Sequence, residues 1–311
     1  MEKIGVVGAG LIGRAWATVF ARAGHSVVMF DADSAALPKA VGLIRDGLRE
    51  LKEFGLIDES PDTVAARVRT ASSLAECVRD VDYVQENTAE RLEVKREVYA
   101  QMDAAAKPDC ILASSTSTIE TSRFADGLEG KHRCLVAHPV NPPHIVPIVE
   151  ISPAPFTSPE VVARTRALHE KVGQVPITVK REVEGFILNR LQAALLNEAW
   201  RLVQEDYVSV EDLDKTIRDG LGLRWAFMGP FETIDLNAPG GIPDYAARYG
   251  PKLHGMMKDI RYEAWGPAVV AKVEAERRKI MPQDQHGTRE AWRDRRLMAL
   301  IAHKRAMAAK D

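Results

Sequence analysis

The chain of 311 residues is short of cysteine, nearly neutral overall and without a long apolar run. Its three cysteines, Cys77, Cys110 and Cys134, form no C-x-x-C pair and are odd in number. That argues against a disulfide framework and for reduced thiols in a cytoplasmic protein. No metal site is expected. A formal net charge of −2 offers no long-range attraction to nucleic acid or to anionic lipid, so neither is expected as a partner. An anionic ligand would therefore be held by local charges and backbone dipoles. No stretch reaches the length of a membrane span. The apolar start does not read as a signal peptide, because only Lys3 precedes it, Arg14 interrupts it and no A-x-A site follows. Internal repeats and low-complexity linkers are also missing, while the length suffices for two domains with buried cores.

What the chain does have begins at its first strand. KIGVV is a β-branched run of the kind found in buried parallel strands. Gly8, Gly10 and Gly13 follow at G-x-G-x-x-G spacing, then a helix with small residues on one face, RAWATVFARAG. A second strand, HSVVMFD, closes on Asp31 at about the 20-residue spacing of a dinucleotide-binding βαβ unit. The glycines permit a tight turn and close approach of a pyrophosphate, and the helix N-terminus at Leu11 and Ile12 offers unpaired N–H groups to it. Asp31 can accept both hydroxyls of an adenosine ribose. A 2′-phosphate there would also meet Asp33 with no arginine immediately following, so NAD is expected rather than NADP.

Strands alternate with helices as far as about residue 180. RVRTASS, VDYVQENT, CILASST, HRCLVAHPV, VPIVEIS and VPITVK follow the first two strands, and AERLEVKREVYAQMDAAA is strongly helical. The pattern predicts an α/β fold with a doubly wound, mostly parallel Rossmann-type sheet over residues 1–184. From Gly185 the character changes. FILNRLQAALLNEAWRLVQEDYV is apolar at helical spacing, EDLDKTIRDGLG reads as another helix, and most of 242–311 is helical. An all-α second domain over 185–311 is expected, serving substrate binding and homodimerisation through its helices.

Three stretches bear on chemistry. In LVAHPVNPPHIVPIVEI, His138 ends a strand and Glu150 lies on the next apolar run. Ligands of such sheets bind beyond the strands' carboxyl ends. A neutral imidazole there can take a hydroxyl proton while a carboxylate on its other nitrogen fixes the tautomer. His144 is the competing imidazole, set among prolines. In ILASSTSTIETS, the hydroxyls of Ser114, Ser115, Ser117 and Thr118 can bind a substrate oxygen or cap the helix that follows, and residue type favours capping. In GFILNRL, Asn189 is a polar residue on an apolar face and must meet either backbone or substrate.

Together these residues resemble the L-3-hydroxyacyl-CoA dehydrogenase superfamily, and within it the lambda-crystallin / L-gulonate 3-dehydrogenase branch. The resemblance spans nearly the whole chain, through GAGLIGRAWA, ERLEVKREVYAQMD, ILASSTS, AHPVNPPHIVPIVE, GFILNRLQ, GLGLRWAFMGPFET and WRDRRLMALIAHKR. It implies His138 as catalytic base with Glu150 as partner, and Ser117 and Asn189 as groups on substrate oxygens, with Asn141 near the same site. It also implies Glu90 and Lys95 as cofactor contacts, with Lys95 near the nicotinamide ribose. The chain departs from the acyl-CoA enzymes at H-P-V-N-P, where those carry H-F-F-N-P, and at Arg224 before M-G-P-F. A guanidinium suits a free carboxylate, so a small 3-hydroxy acid resembling L-gulonate is expected to be oxidised at C3. The alternatives are a short-chain L-3-hydroxyacyl-CoA, L-carnitine held by the rings of Trp225 and Phe227, or a non-enzymatic NAD-binding structural protein.

Overall fold

The computed structural model describes every residue except Glu263, Ala309 and Asp311. By internal contacts the chain forms two compact units, one of residues 1–189 with 291–311 and the other of residues 190–290.

The first unit is built on one eight-stranded sheet of order β3-β2-β1-β4-β5-β6-β7-β8. Its strands are β1 (Lys3–Val7), β2 (Ser26–Phe30), β3 (Val68–Thr70), β4 (Tyr83–Glu86), β5 (Ile111–Ser114), β6 (Cys134–Pro139), β7 (Ile148–Pro153) and β8 (Val175–Thr178). Neighbours pair in parallel throughout, except that β6 and β7 are antiparallel. Eight strands were expected, and the described residues form eight. Five of them, β1 and β4–β7, carry almost unbroken buried runs because helices cover both faces of the sheet. The helices of this unit are α1 (Leu11–Arg22), α2 (Ala36–Glu53), α3 (Pro61–Ala65), α4 (Leu74–Val78), α5 (Leu92–Ala105), α6 (Thr121–Ala125) and α7 (Pro159–Lys171).

Two apolar clusters lie on the two faces of the sheet. In one, the Trp16 and Phe20 rings of α1 stack 5.5 Å apart, and Phe20 meets Tyr83 of β4. In the other, Tyr99 of α5 packs 4.5 Å from Phe124 of α6.

The next helix, α8 (Leu188–Gln204), begins in the first unit and continues into the second. The second unit is all-α: α9 (Val210–Lys215), α10 (Gly222–Trp225), α11 (Pro230–Leu236), α12 (Gly241–Met257) and α13 (Pro267–Ile280) follow. Between α9 and α10 the backbone widens into a π-helix at Thr216–Leu221. Gly222 admits the close approach this needs, since a Cβ there would stand 2.8 Å from the Ile217 carbonyl oxygen.

The last helix, α14 (His286–Ala308), departs from the expected domain span of 185–311. Its residues from 291 onward belong to the first unit. Met298 is buried in the cluster that holds Trp16, with Leu297, Ile301 and Ala302 packed against it. Arg305 donates to the Leu56 carbonyl, and the Arg295 guanidinium lies 5.1 Å from the Phe54 ring centre. No helix among the described residues is long and apolar enough to cross a membrane.

Candidate active site

Strand register brings the carboxyl ends of four strands together. Val7 pairs with Glu86, Glu86 with Ser114, and Ser114 with Val136, two residues before His138. The loops leaving these ends carry the residues singled out in the sequence.

At the end of β1 the glycines form a cradle that a Cβ would fill. Gly8 has φ +96°, and a Cβ there would come within 2.6 Å of the Asn87 carbonyl oxygen. A Cβ on Gly13 would stand 1.9 Å from the Gly8 carbonyl oxygen, so α1 can approach the strand only with glycine there. Gly10, by contrast, faces open space, and Leu11 is exposed on the first turn. The N–H groups of Leu11 and Ile12 have no acceptor within the helix. Asp31 accepts the Ala9 N–H at 2.6 Å and the Asp33 N–H at 2.9 Å, on separate oxygens. Each oxygen keeps a lone pair for a ribose hydroxyl. These residues fit a dinucleotide: the open glycine, free helical donors and the acid converge on one loop.

Beside this cradle lies a buried charge cluster. Lys95 is 1% exposed and donates to both oxygens of Glu86, at 3.2 and 3.1 Å, with Glu90 at 3.6 Å. Lys95 is thus turned inward rather than forming a solvent-facing pair with Glu90. Glu86 also accepts from Ser114 Oγ at 2.6 Å and from the Thr88 N–H and hydroxyl at 2.5 Å. Glu90 gathers the loop after β5: its Oε1 accepts from the Thr116 hydroxyl, the Ser117 and Thr118 N–H groups and the Thr118 hydroxyl. Burial pushes the Glu90 carboxyl up, but the Thr116 hydroxyl, the Lys95 ammonium and the two N–H groups outweigh it and hold it below its ordinary value.

The capping role favoured for the hydroxyls is not what the structure holds. α6 has no side-chain cap at Glu120, and the Ser122 N–H goes to Glu182 instead. Ser114 serves Glu86. Ser115 accepts from Trp16 Nε1 and Gln85 Nε2 and donates to Asn87, closing a half-buried polar chain. Ser117 is exposed, and its carbonyl accepts Asn189 Nδ2 at 2.9 Å. Ser117 and Asn189 are therefore brought together. Asn141 is exposed on the loop after β6.

His138 and Glu150 face each other directly across the antiparallel β6–β7 pair. His138 Nδ1 lies 2.8 Å from Glu150 Oε2, with His138 5% exposed and Glu150 wholly buried. Since a carboxylate only accepts, Nδ1 carries the proton and Nε2 presents its lone pair. The other oxygen, Glu150 Oε1, accepts the Ile187 and Leu188 N–H groups, both at 2.9 Å. Glu150 thus caps α8, where an anion is stabilised by the helix dipole. The chain reaches this position through two left-handed residues, Gly185 at φ +75° and Phe186 at φ +50°. For a bulky side chain that conformation costs roughly 1–3 kcal/mol. The Phe186 ring is fully buried, 5.3 Å from the imidazole at 43°.

His144 does not compete. Burial, then Arg22, lower its pKa to about 4, and its own carbonyl accepts from Arg22 at 2.6 Å. It is a neutral packing group. Sequence reasoning missed Glu86, Thr116 and Phe186. An acid closing the strand YVQE was the signal for Glu86; a glycine before Phe186 was a faint one for the turn.

The family model of the 3-hydroxyacyl-CoA dehydrogenase NAD-binding domain matches residues 3–183, and that of the C-terminal domain matches residues 185–277. The chain belongs to the 3-hydroxyacyl-CoA dehydrogenase family. It is an NAD-dependent oxidoreductase acting on a CH–OH group. It is 40% identical over 307 residues to lambda-crystallin of Oryctolagus cuniculus, covering 97% of this chain and 96% of that one. It is 35% identical to an L-carnitine dehydrogenase of a Pseudomonas species, over 81% of this chain and 78% of that one. Among solved structures it resembles 5-formyl-3-hydroxy-2-methylpyridine 4-carboxylic acid 5-dehydrogenase, an NAD-dependent dismutase. There the TM-score is 0.84 and the identity 29%, covering 96% and 97% of the two chains.

Arg224, in the second unit, is exposed and has no acidic partner within ion-pair distance among the described residues. The π-helix runs directly into the short helix that carries it.

Proposed function

We propose that this enzyme oxidises the C3 hydroxyl of a small free 3-hydroxy acid, of the L-gulonate kind, to the 3-oxo acid, with His138 as base. The observation that carries the base assignment is the hydrogen bond from His138 Nδ1 to a fully buried, triply bonded Glu150. In that tautomer Nε2 can take the proton of the C3 hydroxyl. NAD, when bound, supplies the acceptor for the hydride leaving the same carbon. Glu150 meets the positive charge that grows on the imidazole, and its two backbone donors keep it from moving as that charge appears. Ser117 Oγ and Asn189 Oδ1 are left over after the bond that joins their residues, and they orient the reacting oxygen. The Glu90 carboxylate holds the Ser117 loop, while Gly8, Gly10, Gly13 and Asp31 bind the dinucleotide, with Leu11 and Ile12 over its phosphates.

The free-acid reading rests on Arg224. An exposed guanidinium with no carboxylate partner among the described residues suits a substrate carboxylate, which it can bind through two charge-assisted hydrogen bonds. The dismutase resembling this chain is named for a substrate that is itself a carboxylic acid, which supports the same reading. L-carnitine is the second reading. Trp225 and Phe227 follow Arg224 in sequence and are both exposed, and their ring faces suit a quaternary ammonium.

A homodimer accords with the second unit. It exposes Tyr207 at 70% and Phe231 at 74%, together with Leu236 and Met257, while its buried hydrophobics are Val203, Val210, Ala238 and Val269. So much apolar surface on so small a core suits a second copy. Light scattering on the purified protein tests it, and a monomer at micromolar concentration refutes it. Three buried thiols, each pushed up to about 12 by burial, suit a reducing, cytoplasmic setting.

The deciding experiment measures initial NADH formation with L-gulonate, L-carnitine, L-3-hydroxybutyrate and 3-hydroxybutyryl-CoA side by side. Turnover on a free acid with little on the thioester supports the proposal. Turnover on the thioester alone refutes it.

A further inference from the structure

We propose that Phe186 is a positioning residue for the base, a proposal that rests on the reading of His138 as that base. One hydrogen bond fixes where Nδ1 sits but leaves the imidazole free to pivot about the Nδ1···Oε2 line. Pivoting swings Nε2 away from the substrate hydroxyl. A ring packed beside the imidazole restricts that freedom, and the Phe186 ring lies 5.3 Å from it, tilted at 43°. Phe186 is itself immobile, fully buried in the cluster with Val136 and Val179.

The backbone argues that this placement is required rather than incidental. Phe186 sits at φ +50°, immediately after Gly185 at φ +75°. A bulky residue enters the left-handed region only where its surroundings compel it. Here the same turn does two things. It lays the ring against the imidazole and aims the Ile187 and Leu188 N–H groups at Glu150 Oε1. Both members of the pair are thus held by a single three-residue corner, the imidazole by the neighbouring ring and the carboxylate by its far oxygen. Glycine at 186 would relieve the backbone, so the ring is what the strained conformation retains.

A misplaced base loses rate rather than affinity, because alignment matters most at the moment of proton transfer. The test compares Phe186→Leu, which keeps most of the volume, with Phe186→Gly, which suits the left-handed turn, each alone and combined with His138→Ala. L-gulonate and 3-hydroxybutyryl-CoA serve as parallel substrates, and NADH fluorescence reports cofactor binding. In the otherwise unaltered enzyme, kcat should fall about 10- to 100-fold, with KM and NADH affinity within threefold. In the His138→Ala background neither change should lower kcat further, since the ring acts through the imidazole. A kcat within twofold of the parent in either single variant overturns the proposal. So does an equal loss in both backgrounds, which marks a purely structural role. Should His138→Ala itself retain turnover, the base assignment fails instead, and the two failures are told apart.

Discussion

Replacing Glu150 by glutamine separates the two tasks of that side chain. In the native chain one oxygen accepts from His138 Nδ1 and the other accepts the Ile187 and Leu188 N–H groups. A glutamine has one acceptor oxygen and one donor nitrogen. If its oxygen serves α8, the amide NH2 faces His138 Nδ1, which must then accept. The imidazole proton moves to Nε2, and the base has no lone pair to offer. If the amide is flipped, the tautomer survives but two backbone donors face a donor. Each unsatisfied N–H costs about 1–3 kcal/mol, so the first arrangement wins by roughly 2–6 kcal/mol. Glu150→Gln should therefore fold, bind NADH within threefold of the parent and lose about 10²–10⁴ in kcat. That loss corresponds to about 3–5 kcal/mol of barrier. Glu150→Ala should lose activity and stability together, with Tm lower by about 2–4 °C for every kcal/mol of lost capping. Stopped-flow NADH formation and a thermal melt on the same samples suffice. A Glu150→Gln enzyme with unchanged Tm and kcat within tenfold of the parent would refute the tautomer argument.

Other consequences are equally open to measurement. His138→Ala should keep NADH affinity and lose about 10²–10⁴ of turnover; retained turnover would mean another group is the base. Arg224→Met should raise KM for a free acid about 10- to 100-fold, the worth of a charge-assisted pair at ~1.5–3 kcal/mol, and leave a thioester unaffected; an unchanged KM for the acid removes the clamp. Gly13→Ala should abolish NADH binding in a fluorescence titration, because the added carbon meets the Gly8 carbonyl oxygen at 1.9 Å. Burial lowers His169 to about 3 and, with Arg22, His144 to about 4, whereas both protonate near 6.5 when unfolded. The unfolded chain thus binds more protons below pH 6.5, and stability falls by about 1.4 kcal/mol per pH unit for each histidine, for both down to pH 4 and for His169 alone to pH 3. Urea midpoints of His169→Gln should fall less steeply between pH 6.5 and 4 than those of the parent, and parallel slopes would refute the assignment.

How much of this was legible in the sequence depends on how local the signal was. Buried parallel strands announce themselves as apolar runs, and the glycine spacing with Asp31 marks a loop whose geometry only glycine permits. Ser117 and Asn189, far apart in the chain, were singled out by residue type and are found bonded together. Packing partners were less legible. The stripe of Leu297, Met298 and Ile301 shows that α14 buries a face, but periodicity does not say against which unit. Lys95 is marked in the sequence only by resemblance, as a cofactor contact, and the fold alone reveals Glu86 opposite it. The hydroxyls around Ser114 favour capping by type, yet two carboxylates, one ending β4 and one on the connection after it, claimed them first. Helical spacing over TIRDGL gives no hint of the π-turn that Gly222 allows.

The catalytic pair itself was encoded by loop length. A parallel crossover needs about a dozen residues or more, and roughly eight separate Pro139 from Ile148, so β6 and β7 had to run antiparallel. Antiparallel pairing sets His138 directly opposite Glu150, within the ~5 Å separation at which cross-strand side chains meet. A slip of one residue would send both side chains' partners to the other face of the sheet. The prolines that fill this connection, Pro142, Pro143 and Pro147, restrict the paths it can take. What register alone does not supply is the angle of the imidazole about its hydrogen bond. That last degree of freedom is fixed from outside the hairpin, by a left-handed corner where the chain leaves the sheet for α8. The chemistry therefore depends on two kinds of information at once: a pairing that the strand pattern and loop length prescribe, and a strained turn whose purpose shows only when the ring and the two N–H groups are seen to converge.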